Sequence, residues 1–584
     1  MTHTTSSSPR IIPARHIDSP PTIADTGRHR SPSRQSQPNF GDDYPLRFAP
    51  RHYRTWGVSA VATSALGGIA YLADFSIGAG IGITHGTINA VGGILIAAVL
   101  IFISSFPLAV YAARYNLDLD LITRGSGFGY YGSVITNVIF ASFTFIFFAT
   151  EGSIMGQGLT MGLGLPLWIG YLIATLIVIP LVMYGMAALA KIHTITNPLW
   201  IVMMVSPIII LITQDPSTVD NVVHYSGHGP GHADLTSMML ATGVCLSLTA
   251  QIAENIDYIR FMPARTPENT RRWWIAVILS GPGWVIFGAT KQIIGVVLAV
   301  YVIASLGGSE VSASEPVHQF FAMYTSMMPS WLAVTLAVTL VVMSQIKINV
   351  TNAYSGSLAW TNAYTRVTKR YPGRTVFVFV NVGIALMLME FNIFTVLNSI
   401  LGFYSNVAIA WIFTVATDIA INKYVLKISP RYPEYRRGII CSINPVGVGA
   451  LLLSASTSIA IYFGIFGTTI QPFSALSAAC VAAVSTPLIA IATGGRFYLR
   501  RSNDGINSPL FDTLGNPSDE LFECCITGEM VERPDVVASA IPTPDGRTQY
   551  ISSLALTTDR HGHHVLPADK RFIRGRHGRP EYPT

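Results

Sequence analysis

The sequence predicts an all-α polytopic membrane protein with twelve transmembrane helices. Half of its 584 residues are apolar and only 12% are charged, whereas an ordinary soluble domain carries roughly 25% Asp, Glu, Lys and Arg. The mean hydropathy is +0.45, and apolar runs long enough to cross about 30 Å of hydrocarbon recur along the chain. The net charge of +6 follows from membrane topology rather than from nucleic-acid binding, as its distribution shows.

Charged and Gly/Pro-rich stretches divide the chain into twelve apolar segments, numbered in chain order. They cover residues 56–83, 88–113, 131–160, 166–188, 194–213, 235–261, 274–304, 330–360, 374–390, 392–422, 445–466 and 472–493. Lys and Arg accumulate in cytoplasmic loops, and the two long loops expected outside, 214–234 and 305–329, contain neither. Both termini are therefore expected in the cytoplasm, with the protein in the plasma membrane, or in the inner membrane of a bacterial cell.

Two lysines stand apart from this charge pattern. Of the 37 Lys and Arg residues, all but Lys291 and Lys347 fall in cytoplasmic loops or terminal stretches. A cation near the bilayer centre costs roughly 2.5–3.5 kcal/mol or more unless it is paired or hydrated. Lys347, in the middle of the eighth segment, is therefore a candidate functional residue.

The chain is expected to have three parts. Residues 1–50, rich in Ser, Pro, Arg and His, predict a disordered cytoplasmic tail. Residues 51–500 are expected to form the transmembrane domain, and residues 501–584 are expected to be a loosely structured cytoplasmic tail. The adjacent Cys524 and Cys525 lack the two-residue spacer usual in structural zinc sites, so neither a metal nor another cofactor is expected.

One short motif suggests nucleotide binding, but its context excludes it. Gly127 to Gly132 fits G-x-G-x-x-G, which cradles a pyrophosphate when a strand precedes it. No strand is predicted before it and a membrane segment follows. The better interpretation is a cytoplasmic entry to the third segment.

Glycines surround Asp74 in the first segment. They are Gly67 and Gly68 before it, and Gly78, Gly80 and Gly82 after it. Transporters use broken helices of this kind, since unwound backbone near the membrane centre presents its dipoles to substrate or ions. Close helix packing through small residues remains an open alternative for the glycines. Asp74 itself is a candidate substrate-binding residue.

The third segment places Phe147 and Glu151 on one helix face, because they are four residues apart. Such a face can stack a planar ring and hydrogen-bond its edge, so both are candidate substrate-binding residues. For Glu151 an alternative stays open, which is an ion pair with a lysine inside the bundle, away from substrate.

The sixth segment is unusually polar near its cytoplasmic end. Thr249 and Gln251 are candidate substrate-binding residues, and Glu254 is a candidate coupling residue. Asp257 and Arg260 are expected to form a solvated pair where the segment leaves the membrane.

The eighth segment carries two polar stripes and therefore cannot face lipid. One stripe contains Gln345, Asn349 and Asn352, and the other contains Ser344, Lys347, Thr351 and Ser355. Asn349 and Asn352 are candidate substrate-binding residues, and Lys347 is a candidate coupling residue.

The first and sixth segments correspond if the first ten form two groups of five with opposite topology. This pattern indicates an inverted-repeat secondary transporter.

Three features, in order along the chain, carry a family resemblance. They are Arg124-Gly125-Ser126-Gly127-Phe128-Gly129-Tyr130-Tyr131-Gly132, then Asp257-Tyr258-Ile259-Arg260-Phe261, then the asparagine-rich eighth segment. Together they resemble the nucleobase:cation symporter family, the purine/cytosine, allantoin and hydantoin permease group, over about residues 45–500. The resemblance implies a LeuT-like fold of five plus five inverted repeats with two further C-terminal helices.

The resemblance also implies the site. Members import planar heterocycles with sodium or protons, stacking the ring on an aromatic that corresponds to Phe147 and bonding it through the residue at Glu151. Members usually have Trp and an amide-like residue there, so Glu151 favours protonated, cationic or donor-rich ligands. The family's second stacking aromatic, in the middle of the sixth segment, corresponds to a position near Leu248, so that aromatic is missing in this chain. Lys347 falls at or beside the hydroxyls that hold sodium in sodium-coupled relatives, where an ammonium could replace the ion.

The sequence thus predicts a transporter, not an enzyme, that imports a small purine-, cytosine- or allantoin-like heterocycle by alternating access. Proton coupling is predicted, with sodium as the alternative ion, and Asp74 and Glu151 are the expected partners of Lys347. Two alternatives stay open: an amino-acid or amine permease of the same fold, and a transporter-like receptor that signals through its tail. The expected partners are a small-molecule substrate and the lipid bilayer, without nucleic acid.

Overall fold

The computed structural model describes residues 45–184 and 186–569. Most of the predicted tail 1–50 and the end of the predicted C-terminal tail lie outside these residues. The helices of the first half are α1 Val58–Gly67, α2 Ala73–His85, α3 Thr87–Tyr115, α4 Leu119–Thr123, α5 Ser133–Leu163, α6 Leu167–Leu176, α7 Val178–Met183, α8 Met186–Gln214 and α9 Ser217–His224.

The second half continues the helical pattern and ends in a small mixed module. Its helices are α10 Leu235–Cys245, α11 Ile252–Ile259, α12 Thr270–Ser280, α13 Trp284–Val300, α14 Glu310–Ser314, α15 Pro316–Thr325, α16 Ser330–Thr368, α17 Arg374–Glu390, α18 Leu397–Thr417, α19 Pro445–Tyr462, α20 Ser474–Thr493 and α21 Ser553–Thr558. Its strands are β1 Leu521–Glu523, β2 Met530–Glu532, β3 Val536–Ala538 and β4 Tyr550–Ser552.

Each predicted segment coincides with helix, and the protein is a multi-pass membrane protein. In the described chain nine helices are long and apolar enough to cross a membrane, or ten when the bent pair α1 and α2 is taken as one span. The fourth segment is a shorter apolar helix, and the ninth, α17, has 17 residues. A helix therefore stands at all twelve predicted positions, while the count of twelve crossings stays a prediction.

Packing between distant segments builds the core. α16 packs along α5, α2 along α13, and α10 along α3. α20 packs against both α18 and α19, so the last two segments lie beside the tenth. The loops expected outside contain the short helices α9, α14 and α15, which the hydropathy pattern did not predict.

The expectation of a loosely structured C-terminal tail is wrong for residues up to 569. Strands β1 and β2 pair antiparallel, as do β3 and β4, around a buried apolar cluster. The Asp504 carboxylate lies 2.8 Å from both Arg436 and Arg533, which fixes the module to the loop before α19. Burial also raises the pKa of Asp535 to about 7.

This C-terminal module also contacts the chain that leads into α1. Arg47 donates to Glu529 at 3.3 Å, and Arg54 lies 3.7 Å from Glu532. On another side, the Tyr130 hydroxyl donates to Thr557 at 2.9 Å. Hydropathy could not predict this docking, because it depends on individual polar contacts between residues several hundred positions apart.

Candidate functional site

The first segment is broken in its middle. α1 ends at Gly67, a 3-10 turn covers Gly68–Ala70, and Tyr71 is extended with ψ of 149°. α2 then starts at Ala73 at an angle of 47° to the preceding helix. A break of this kind leaves backbone N–H and carbonyl groups without helical partners, and in a membrane these groups must be satisfied by protein, water or ligand.

Glu151 of α5 satisfies the N–H groups of the break. Its carboxylate oxygens accept from the backbone N–H of Leu72 at 3.3 Å and of Ala73 at 3.2 Å. Leu72 is the N-cap of α2 and supplies no side-chain bond of its own. A carboxylate is favourable at a helix N-terminus because of the exposed N–H groups and the helix dipole. In this conformation Glu151 therefore caps α2.

Lys291 of α13 satisfies the carbonyl groups of the same break. Its Nζ donates to the carbonyl oxygens of Ile69 at 2.6 Å and Tyr71 at 2.9 Å. It also lies 2.9 Å from Asp74 Oδ2 and 3.6 Å from the centre of the Tyr71 ring. The lysine beside Asp74 is thus Lys291, a residue for which the sequence pattern predicted no role.

Close packing of two helices places these groups together. A Cβ on Gly78 of α2 would lie 1.9 Å from the Gln292 carbonyl oxygen, and one on Gly295 of α13 would lie 2.4 Å from the Phe75 carbonyl oxygen. Only glycine permits this approach. Gln292 then reaches Asp74 and donates to its Oδ1 at 2.8 Å. These contacts support the packing interpretation of Gly78, while the backbone itself confirms that the helix is broken.

The sixth segment is also distorted, at the corresponding place in the second repeat. Between α10 and α11 the chain forms a 3-10 stretch, Leu246–Gln251. Thr249 donates to the Leu246 carbonyl at 2.6 Å, and Gln251 Nε2 donates to Glu254 Oε2 at 2.5 Å. Within the described residues the other oxygen of Glu254 is buried without a hydrogen-bond partner.

The cytoplasmic end of the sixth segment differs from its prediction as a solvated pair. Asp257 and Arg260 are both buried. Asp257 accepts from the Ser355 hydroxyl at 2.5 Å, and Arg260 lies 3.7 Å from Asp118. The prediction is wrong because residues of the first repeat and of α16 cover this end of α11.

The asparagine stripe of α16 holds polar atoms that the protein leaves unbonded. Gln345, Asn349 and Asn352 are fully or nearly fully buried. In the described chain both amide atoms of Gln345, the Nδ2 of Asn349 and the Oδ1 of Asn352 have no hydrogen-bond partner. Buried polar groups are rarely left unbonded, so water or ligand is expected here.

Asn349 of this stripe lies beside α5, the helix of the third segment. A Cβ on Gly152, the neighbour of Glu151, would lie 3.7 Å from Asn349 Nδ2. Phe147 is buried one turn earlier on α5, with its ring 4.5 Å from that of Phe143. α5 and α16 thus pack against one another at Gly152 and Asn349, and a shared substrate site of Phe147, Glu151 and Asn349 stays a prediction.

Lys347 lies elsewhere, and its predicted pairing with Asp74 and Glu151 is wrong. Its Nζ donates to the Asn197 side-chain oxygen and lies 5.5 Å from the centre of the Trp200 ring. Lys347 and Asn349 are two residues apart, which turns them about 200° from one another on a helix. Ser344 and Lys347 of the lysine stripe therefore face α8, Thr351 and Ser355 face α11, and Asn349 of the other stripe lies beside α5.

Another residue of α8 that the sequence did not single out contacts the first segment directly. The His193 ring lies 3.1 Å from the Ser64 carbonyl oxygen and occupies the space where a Cβ of Gly67 would be, 2.5 Å away. No sequence signal distinguishes this histidine. Lys291, in contrast, was already visible as the second basic residue inside an apolar segment.

Within the described residues no group of three or more His, Cys, Asp and Glu could hold a metal ion.

Solved structures of transporters share this architecture. Mhp1, a nucleobase-cation-symport-1 family transporter, in a closed conformation with bromovinylhydantoin bound, aligns with a TM-score of 0.58 and 16% identity over 81% of this chain and 97% of that chain. Its inward-facing conformation aligns at 0.55 with 17% identity, over 78% of this chain and 93% of that chain. A Na⁺-coupled sialic acid symporter, in a substrate-bound outward-open state, aligns at 0.53 with 14% identity over the same shares.

This likeness confirms the predicted LeuT-like transporter fold. The resemblance to nucleobase:cation symporters seen in the sequence is confirmed at the level of the fold by the two Mhp1 structures. No protein-family model and no curated protein matches the sequence.

Proposed function

We propose that the protein is a secondary active transporter of the plasma membrane, with both termini in the cytoplasm. It imports a small nitrogen-containing heterocycle by alternating access, without making or breaking a covalent bond. The observation that carries this proposal is the break between α1 and α2, which packs against α16, a helix that contains buried unbonded amides. Broken helices at the interface of inverted repeats are where transporters of this kind bind their substrates.

The chemistry of the lining residues supports a planar, polar ring as the substrate. Gln345, Asn349 and Asn352 offer amides that both donate and accept, which suits a ring edge carrying N–H and C=O groups. Phe147, on the facing helix, offers an aromatic surface for stacking. The bromovinylhydantoin bound to Mhp1 is consistent with a ligand of this class. Thr249, Gln251 and Asp74 complete the proposed substrate site.

A second candidate is a permease for an amine or an amino acid. The unbonded carboxylate oxygen of Glu254 supports it, because a buried carboxylate favours a cationic ligand. In the first candidate, the heterocycle transporter, Glu254 takes part in coupling instead. We propose that transport is coupled to protons and does not require sodium.

Uptake into proteoliposomes tests the proposal. Radiolabelled purines, cytosine, allantoin and cationic amines are compared with and without a proton or sodium gradient. Uptake of a heterocycle, saturable and stimulated by an inward proton gradient, is the expected result. Uptake of amines alone would favour the second candidate, and no uptake of any of them would overturn the proposal.

Matched variants on α16 locate the substrate site. Asn349→Ala is expected to raise KM at least tenfold, since it removes a polar contact to the ring. The control is Thr335→Ala on the same helix, because that residue is exposed and its hydroxyl donates to the Trp331 carbonyl of its own helix. Equal KM values in the two variants would show that Asn349 does not contribute to substrate binding.

A further inference from the structure

Three oxygen atoms surround the Lys291 ammonium at the break of the first segment. It donates to the Ile69 carbonyl at 2.6 Å and to the Tyr71 carbonyl at 2.9 Å, and it forms an ion pair with Asp74 Oδ2 at 2.9 Å. The face of the Tyr71 ring, 3.6 Å away, adds a cation–π contact. Lys291 is buried, with an exposed fraction of 2%.

The acceptors themselves require a cation. Ile69 and Tyr71 lie where the chain leaves helical geometry, and Asp74 is a buried carboxylate in the first turn of α2. Two backbone carbonyls and a carboxylate form an all-oxygen set, the type of ligand that hard metal cations prefer. Unwound carbonyls of broken transmembrane helices coordinate sodium in transporters. The same oxygens would suit an alkali cation if the lysine were absent.

We propose that Lys291 is the resident cation of this break, bonded in place of an exchangeable alkali cation, and that it makes the break independent of sodium. The inference rests on the proposed transport function. It assigns the role of replacing the coupling cation to Lys291 instead of Lys347. Glu151 completes the arrangement from the other side, because it caps the N–H groups while Lys291 bonds the carbonyl groups.

Residues other than Lys291 hold Asp74 in place at the break. Gly288, one turn earlier on α13, lies beside the Asp74 carboxylate and the Tyr71 hydroxyl, which would be in van der Waals contact with a Cβ there, at 3.4 and 3.6 Å. Gln292 holds the second oxygen of Asp74. Truncating Lys291 would therefore leave an oxygen-lined space whose walls are held by other residues.

Thermal melting of the purified full-length protein tests the inference without a substrate. The melting temperature is followed by tryptophan fluorescence in detergent, in sodium chloride and in choline chloride of equal ionic strength. The wild type is expected to melt at the same temperature in both salts. Lys291→Ala is expected to melt lower in choline and to regain several degrees in sodium, with a saturable dependence on sodium concentration.

Two further variants complete the design. Lys347→Ala is the control for removing an intramembrane lysine, and its melting temperature is expected to be the same in both salts, since within the described residues Lys347 contacts the Asn197 amide oxygen and the Trp200 ring rather than a carboxylate. Lys291→Ser is a second truncation, in case the alanine variant does not accumulate, and the same sodium response is expected. A sodium response of the wild type, or none in either Lys291 variant, would overturn the inference. These outcomes do not depend on uptake, so a failure of the proposed function is separately visible.

Discussion

The two lysines inside the membrane domain have opposite surroundings. Lys291 is bonded to two backbone carbonyls and paired with Asp74, with Glu151 on the other side of the same break. Lys347 contacts the side chain of Asn197 and the face of Trp200. One lysine thus neutralises a buried carboxylate and holds a broken helix together, and the other makes a polar contact between α8 and α16.

This difference shows that burial of a charge does not reveal its role. Both residues are nearly inaccessible, and both stand out equally in the distribution of basic residues along the sequence. Removing one partner of a buried ion pair leaves an uncompensated charge, whereas losing a hydrogen bond in a membrane protein costs far less. The partners therefore determine how much each lysine contributes.

The largest expected effect is that of Lys291→Met. We expect the free energy of unfolding to fall by about 3–5 kcal/mol, because Asp74 is left as an unpaired buried charge, and we expect uptake to be lost. Unfolding in SDS, followed by tryptophan fluorescence, measures the change. Adding Asp74→Asn to this variant should restore part of the stability, since the two effects are coupled. If the losses simply add, the pair is not an energetic unit.

Glu151→Gln is expected to have the next largest effect. The amide oxygen can still accept, but the amide N–H₂ cannot, so one N–H group of α2 loses its acceptor at a cost of about 1.5–3 kcal/mol. Because the next residue, Gly152, lies beside Asn349, we also expect the affinity or preference for substrate to change. Competition uptake with purines, cytosine and amines measures this. Lower stability with unchanged affinity and selectivity would give Glu151 a purely structural role.

Lys347→Met should have a smaller effect than either. The loss of its bond to Asn197 is expected to cost about 0.6–1.7 kcal/mol. A double-mutant cycle with Asn197→Ala measures the coupling energy between the two residues. A loss as large as that of Lys291→Met would show that Lys347 has a charged partner in the working protein, and would remove the contrast between the two lysines.

Replacing sodium by choline should have the smallest effect on the wild type. Because the Lys291 ammonium is bonded at the break of the first segment, we expect the initial rate of uptake at a fixed proton gradient to be the same in the two salts. Parallel measurements in proteoliposomes test this. Strict sodium dependence would show that Lys291 does not act in place of a transported cation.

The residues of the candidate site were predictable in part. Phe147, Glu151, Asn349 and Asn352 follow from helical periodicity and from the family resemblance, and the structure brings the third and eighth segments together there. The partners of Glu151 were not predictable, since they are backbone N–H groups of another segment. Lys347 was assigned to the wrong neighbours. Helical periodicity gives the angle between Lys347 and Asn349, about 200°, but it does not say which neighbouring helix each side chain faces.

The sequence by itself determined the class of protein, the positions of the membrane segments and the set of polar residues that cannot face lipid. These properties are sums over neighbouring residues, so hydropathy and the distribution of Lys and Arg are enough to predict them. Only the tertiary structure decided which charges meet. Gly78 and Gly295 allow α2 and α13 to approach backbone to backbone, and that contact, invisible in any local pattern, places Lys291 rather than Lys347 at the break of the first segment.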